Sequence, residues 1–227
     1  MKKVVLITGA NRGIGLETAK QMKALDYEVI LTSRNADEGQ RAARDLGVRF
    51  YQLDVLSATG IAALHAFVEK EFGRLDALIN NAGILIDRND SILNIPEEEL
   101  RKTLDTNTYA PLVLTRAFLP MMLAQNYGRI VNVSSVLGQI TSFSDSTPAY
   151  RLSKLTLNGI TLMLADAVKG KNILINSVHP GWVKTEMGGA GAHLSLAEGA
   201  RGLVWAATLP DNGPQGGFFQ DGKRMEW

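Results

Sequence analysis

Short apolar runs alternate with helix-period segments from one end of this 227-residue chain to the other, and that alternation leaves few folds open. The runs KVVLIT (3–8), EVILTS (28–33), VRFYQL (48–53), DALIN (76–80), RIVNVSS (129–135), ILINSV (173–178) and GFFQ (217–220) are rich in Val, Ile and Leu and lack strict polar alternation. Such runs suit strands buried on both faces of a parallel sheet. Helix spacing fills the stretches between them, near 13–25, 36–46, 58–72, 97–125, 149–169 and 195–208. Two of these helices have readable starts: Pro96 before Glu97-Glu98-Glu99, and Ser195 with Glu198 three positions on as a capping box. Parallel neighbours need right-handed crossovers, so the pattern predicts an α/β fold with one doubly wound, seven-stranded parallel sheet flanked by helices. No repeat, low-complexity tract or linker interrupts it. Residues 1–227 therefore read as a single domain.

Composition removes several classes of function. Twenty-four basic and 23 acidic residues nearly cancel, and no basic cluster interleaves with aromatics, so neither nucleic acid nor an anionic membrane is an expected partner. With no cysteine there is no disulfide, thiol nucleophile or thiolate zinc site. His65, His179 and His193 stand far apart in sequence, so no metal is expected. The apolar run after Met1-Lys2-Lys3 is short and meets Gly9, Asn11 and Arg12 rather than a cleavage site, and Asp166 interrupts ITLMLADAV, the most apolar helical stretch. The expectation is a soluble, cytoplasmic protein.

The segment Thr8-Gly9-Ala10-Asn11-Arg12-Gly13-Ile14-Gly15 joins the first strand to the first helix. Its glycines permit a tight turn and close approach of backbone to phosphate, and the helix N-terminus offers free N–H groups to a pyrophosphate. The spacing G-x-x-x-G-x-G only approximates the commoner dinucleotide fingerprint. At the end of the second strand an NAD site would place a carboxylate for the ribose 2′-hydroxyl. Here the chain reads Thr32-Ser33-Arg34-Asn35, with no carboxylate before Asp37. Arg34 can instead fork a 2′-phosphate, with Arg12 and Ser33 as further donors, so NADP(H) is the expected cofactor.

Tyr150 and Lys154, four apart in TPAYRLSKL, share one helix face. A free phenol titrates near pH ~10, and a neighbouring ammonium is expected to pull it toward the working range, which makes a proton donor and acceptor for a carbonyl. Alone, a Tyr and a Lys at that spacing are common. The glycine-rich stretch from Gly181 to Leu194 follows a strand's C-terminal end, where ligands of open α/β sheets bind, and reads as a candidate lid or as an ordinary surface loop.

Taken together and in order, these motifs resemble the short-chain dehydrogenase/reductase family along essentially the whole chain. Thr8-Gly9, Gly13 and Gly15 match its T-G-x-x-x-G-x-G; Asp54-Val55, Asn80-Asn81-Ala82-Gly83, Asn107, Ser134-Ser135, Tyr150, Lys154, and Pro180-Gly181 with Thr185 match its other motifs. The resemblance implies a Rossmann fold whose cofactor contacts include Gly9, Asn11, Arg12, Gly13, Ile14, Gly15, Asp54 and Val55 near adenine, and Asn81, Ala82, Gly83, Pro180, Gly181, Val183 and Thr185 toward the nicotinamide. It implies a catalytic set of Asn107, Ser135, Tyr150 and Lys154. In that set Tyr150 is acid and base, Lys154 lowers its pKa and bonds the nicotinamide ribose, Ser135 polarises the carbonyl, and Asn107 holds a water that relays protons. Ser134 remains the alternative active serine, and Asn107 the alternative of a mere helix irregularity. After Asn107 the usual glycine is replaced by Thr108.

LTSR, HPGWVKTEMGG and the tail GGFFQDGKRMEW lean toward the carbonyl-reductase-like branch. That branch's monomers carry a helical insertion before the tyrosine, absent from Val136–Ala149 here, so a homodimer or homotetramer is expected. Expected substrates are small carbonyl compounds or alcohols, with Ser135, Leu137, Phe143, Trp182, Met187 and His193 facing them. The reading is NADPH-dependent reduction of a ketone or aldehyde. Alternatives are a 3-oxoacyl thioester reductase of lipid synthesis and a non-catalytic NADP(H)-sensing protein.

Overall fold

The chain reverses its direction of sheet growth at its first strand, and that single event positions the site. A computed structural model describes residues 2–227. The elements are β1 (Val4–Ile7), α1 (Gly13–Ala24), β2 (Glu28–Ser33), α2 (Ala36–Leu46), β3 (Arg49–Gln52), α3 (Ala58–Phe72), β4 (Ala77–Asn80), α4 (Glu97–Leu104), α5 (Ala110–Ala124), β5 (Gly128–Val133), α6 (Pro148–Ala167), β6 (Ile173–Val178), α7 (Leu196–Ala207), β7 (Phe218–Gln220) and β8 (Lys223–Met225). They form one sheet in the order β3-β2-β1-β4-β5-β6-β7-β8. From β1 the sheet grows one way through β2 and β3, then the other way from β4 onward. The C-terminal ends of β1 and β4 thus flank a crevice that no connection crosses.

Strand side chains alternate between two cores. On β1, Val4 and Leu6 join α3, α5 and α6 on one face through Leu64, Phe118 and Ala165. Val5 and Ile7 join α1, α2 and α7 on the other through Met22, Ala42 and Leu203. With both faces covered, the β1 side chains are 0–2% exposed, which is why these runs show no polar alternation. The capping box is present on α7: Ser195 Oγ accepts from the Glu198 N–H, and Glu198 accepts from the Ser195 N–H. Among the described residues no helix is long and apolar enough to cross a membrane.

Two departures from the sequence expectation have local causes. The sheet has eight strands, not seven, and β7–β8 is antiparallel. Asp221 (φ 48°) and Gly222 (φ 74°) make a two-residue turn with both central residues at positive φ, the geometry that Asp-Gly favours in hairpins. The expected single helix at 97–125 is divided by a π-turn, Asp105–Tyr109, between α4 and α5. Pro111 has no N–H to give the Asn107 carbonyl four residues back, so an ordinary α-helical ladder cannot close there.

Candidate active site

The glycine-rich turn after β1 is held from behind by β4. Gly9 (φ 62°) lets the chain leave β1, and an added Cβ there would lie 3.0 Å from Ala82 Cα. Thr8 Oγ1 accepts from the N–H groups of Asn81 and Ala82, both at 3.0 Å. Asn81 Nδ2 donates to the carbonyls of Thr8 (2.8 Å) and Gly9 (3.0 Å). No side chain caps α1 and no acidic residue occupies its first turn, so its leading N–H groups are free to meet an anion.

This turn forms the middle of a cavity of about 750 Å³. One end is walled by Ser33, Arg34, Asp54 and Val55, the centre by residues of the glycine turn with Asn81, Ala82 and Gly83, and the other end by Tyr150, Lys154, Pro180, Thr185 and Met187. Of the cofactor contacts expected from sequence, Gly181 and Val183 alone lie off this wall. Gly181 (φ 82°) turns the chain under Leu194, and Val183 is buried against Gly199. Arg34 is exposed and has no ion pair among the described residues, whereas the Ser33 hydroxyl donates to the Asn35 carbonyl at 2.7 Å. Asn11 Nδ2 donates to Glu38.

At the far end, α6 presents Tyr150 and Lys154 together, with Lys154 Nζ 5.4 Å from the phenol ring centroid. Burial pushes the Tyr150 phenol up to about 12; hydrogen bonding to Ser135 and the charge of Arg88 oppose that, and Asp87 adds to it. Burial lowers Lys154 to about 8. Desolvation is the largest influence on the phenol, and Lys154 Nζ donates to the Val133 carbonyl at 2.8 Å.

The two serines have different surroundings. Ser134 Oγ donates to Asn158 Oδ1 at 2.7 Å inside the core. Ser135 accepts the Leu137 N–H and faces the Tyr150 hydroxyl. Gly138 keeps the intervening turn against α6, where an added Cβ would lie 2.7 Å from Lys154 backbone carbon. The Asn107 amide is engaged at both ends: Oδ1 accepts the Ile84 N–H (2.8 Å), and Nδ2 donates to the Ile84 carbonyl (2.8 Å) and Ser153 Oγ (3.1 Å). The second lone pair of Asn107 Oδ1 is still open to a further donor such as a water. Thr108, in place of the usual glycine, donates to the Ser153 carbonyl at 2.9 Å and ties the π-turn to α6.

Residues 3–193 match the short chain dehydrogenase family. The chain belongs to the short-chain dehydrogenase/reductase family. It lies in the carbonyl-reductase-like branch. Mouse carbonyl reductase [NADPH] 1 is 32% identical, with 100% of this chain and 99% of the mouse protein covered. That alignment runs over 277 positions, so the mouse protein carries segments this chain lacks. Short-chain dehydrogenase anuI of Penicillium roqueforti is 36% identical, covering 91% of this chain and 89% of the relative. Among solved structures, carbonyl reductase Sniffer of D. melanogaster superposes with a TM-score of 0.89 at 31% identity and 100% coverage of both chains. NADPH-bound carbonyl reductase from chicken fatty liver gives 0.89 at 32%, covering 100% of this chain and 94% of that one.

In this short-chain dehydrogenase/reductase the 181–194 loop is gripped from both walls of the cleft. Arg12 pairs with Glu186 at 2.6 Å, and Arg88 donates to the Met187 carbonyl. Of the residues read from sequence as facing a substrate, Met187 lines the cleft; Ser135, Leu137, Phe143, Trp182 and His193 lie off its wall, on which Ser134 stands. Trp182 is committed within the loop: its Nε1 donates to the Gly188 carbonyl, and its ring meets His193 edge-on at 6.1 Å. Sequence reading also passed over Asp87 and Arg88, because the N-N-A-G motif ends at Gly83 and only the fold returns the next loop to Tyr150. The Arg12–Glu186 pair is exposed on both sides and contributes at most about 1 kcal/mol. Glu186→Gln is expected to tighten NADPH binding about twofold to fivefold by releasing Arg12, measured by fluorescence titration.

Proposed function

We propose that this protein is an NADP(H)-dependent oxidoreductase that reduces a ketone or aldehyde to the alcohol, reversibly, with Tyr150 as acid and base. The observation that carries this reading is that Tyr150, Lys154 and the glycine-rich turn wall the same cavity, with Ser135 against the Tyr150 hydroxyl. The names of the mouse and chicken relatives, which specify NADPH, support the cofactor.

The residues fit such a group. The glycine turn and the α1 N-terminus would take the pyrophosphate, and Arg34 with Ser33 and a released Arg12 the 2′-phosphate. The bound nicotinamide supplies or accepts hydride. Tyr150 gives its hydroxyl proton to the carbonyl oxygen, while the Ser135 hydroxyl donates a hydrogen bond to the same oxygen as negative charge develops. Lys154 is held by the Val133 carbonyl, and Gly83 lies against both its Nζ and Asn107 Oδ1. A water on Asn107 would return protons through Lys154. Apolar wall residues Ile84, Leu85 and Met187 favour hydrophobic carbonyl compounds.

The test follows nicotinamide absorbance with NADPH and a panel of aldehydes and ketones; binding without turnover on every substrate overturns the reading. For the cofactor, Arg34→Ala is expected to weaken NADPH about 10–100-fold and NADH little, since charge-assisted bonds to the 2′-phosphate are lost. Equal losses refute the phosphate role.

Exposed Tyr109 and Leu123 near and on α5, and Leu162 and Met163 on α6, support a homodimer or homotetramer, which light scattering on the purified protein checks. A cysteine-free chain using NADPH fits the cytoplasm.

A further inference from the structure

The helix that carries Tyr150 and Lys154 starts badly by its own local means. Thr147, at its N-terminal boundary, sits at φ 51° and ψ 49° and makes no side-chain cap. This is an uncommon conformation for a β-branched residue. Pro148 has no N–H, and the first turn of α6 contains no acidic residue. An acceptor arrives from 63 residues earlier in the chain: Asp87 Oδ2 accepts the Tyr150 N–H at 3.1 Å. Asp87 is 0% exposed, and its Oδ1 has no hydrogen-bond partner among the described residues. Burying a carboxylate costs stability unless it is hydrogen-bonded, and the bond shown for Asp87 goes to the backbone of Tyr150.

We propose that Asp87 is a positioning residue for Tyr150: it caps α6 from the loop after β4 and thereby fixes the backbone of the acid–base tyrosine. The neighbouring Arg88 stays in the cleft and grips the Met187 carbonyl, so this dipeptide joins the catalytic helix to the loop over the cleft. The charged groups around the phenol are Asp87 and Arg88 from the loop and Lys154 from α6; Ser135 adds a neutral hydroxyl. Asp87 disfavours the phenolate by like charge and Arg88 favours it. The proposal rests on the acid–base reading of Tyr150.

Two variants test it. Asp87→Ala removes cap and charge, and is expected to lower kcat about 10²-fold with NADPH affinity within about twofold of the parent, because a small misplacement of a catalytic group is that costly. Asp87→Asn keeps an acceptor of the same shape, so it is expected to regain most of that kcat. Loss of the negative charge moves the Tyr150 titration to lower pH, the sign opposite to that of a further like charge. The titration is read as phenolate absorbance of each protein minus that of its Tyr150→Phe counterpart, which needs no turnover. Parental kcat and titration in both variants overturn the proposal. If Asp87→Ala does not fold, Asp87→Asn decides alone, and an unmoved titration overturns it. A shifted titration in a protein that reduces no carbonyl upholds the placement of Asp87 and sinks the proposed reaction instead.

Discussion

Tyr150→Phe is expected to lower kcat for carbonyl reduction about 10³-fold while NADPH affinity and thermal stability stay close to the parent's. The ring is buried on α6 and Phe fills the same volume, so packing is conserved. The only atom removed is the hydroxyl oxygen that faces Ser135 and would carry the proton. In the proposed reaction Ser135 would still hydrogen-bond the substrate oxygen and hydride could still be delivered, so a small residual rate is expected rather than none. Single-turnover kinetics separate this from a binding defect. A parallel fall in NADPH affinity would show instead that the side chain shapes the cofactor pocket.

The second large effect is at Gly15, where the substitution is smallest and the room least. An added Cβ would lie 2.5 Å from Asn81 Nδ2, 2.8 Å from the Gly9 carbonyl oxygen and 2.9 Å from Ala10 Cα. Two of those three atoms belong to the glycine-rich turn's backbone and cannot rotate away. The third is the amide that holds the turn through Thr8 and Gly9. Gly15→Ala is therefore expected to cost about 1–3 kcal/mol of stability by overpacking. NADPH binding should weaken more than about 100-fold, because the turn must open where the phosphates would sit. Calorimetric titration and thermal unfolding measure the two losses. A variant that binds NADPH normally would mean that the turn shifts without harm.

Most of the fold was legible because its determinants are local. The strands needed only their Val/Ile/Leu runs, α7 its Ser195–Glu198 box, and the nucleotide turn its glycines. The eighth strand was also written in the chain, as Asp221-Gly222 between Gln220 and Lys223, and so was the π-turn, through Pro111. Both were single-residue signals inside segments whose larger pattern pointed elsewhere. Trp182 shows the converse: a large apolar residue in a loop at the right edge of the sheet stays half exposed and engages His193 and Gly188 of its own loop, which no periodicity specifies.

By itself the sequence determined the doubly wound sheet, the glycine turn, the arginine at the end of β2 and the pairing of Tyr150 with Lys154 on one helix face, since each is set by residues within a turn or two of one another. Only the tertiary structure decided which serine faces the phenol, that Lys154 spends a proton on the Val133 carbonyl, that burial outweighs charge at Tyr150, and that Asp87 caps α6. The physical reason is that burial and hydrogen bonding across the crevice depend on groups 21 to 63 residues apart. Desolvation, in particular, is a property of everything packed around a side chain and of no single neighbour.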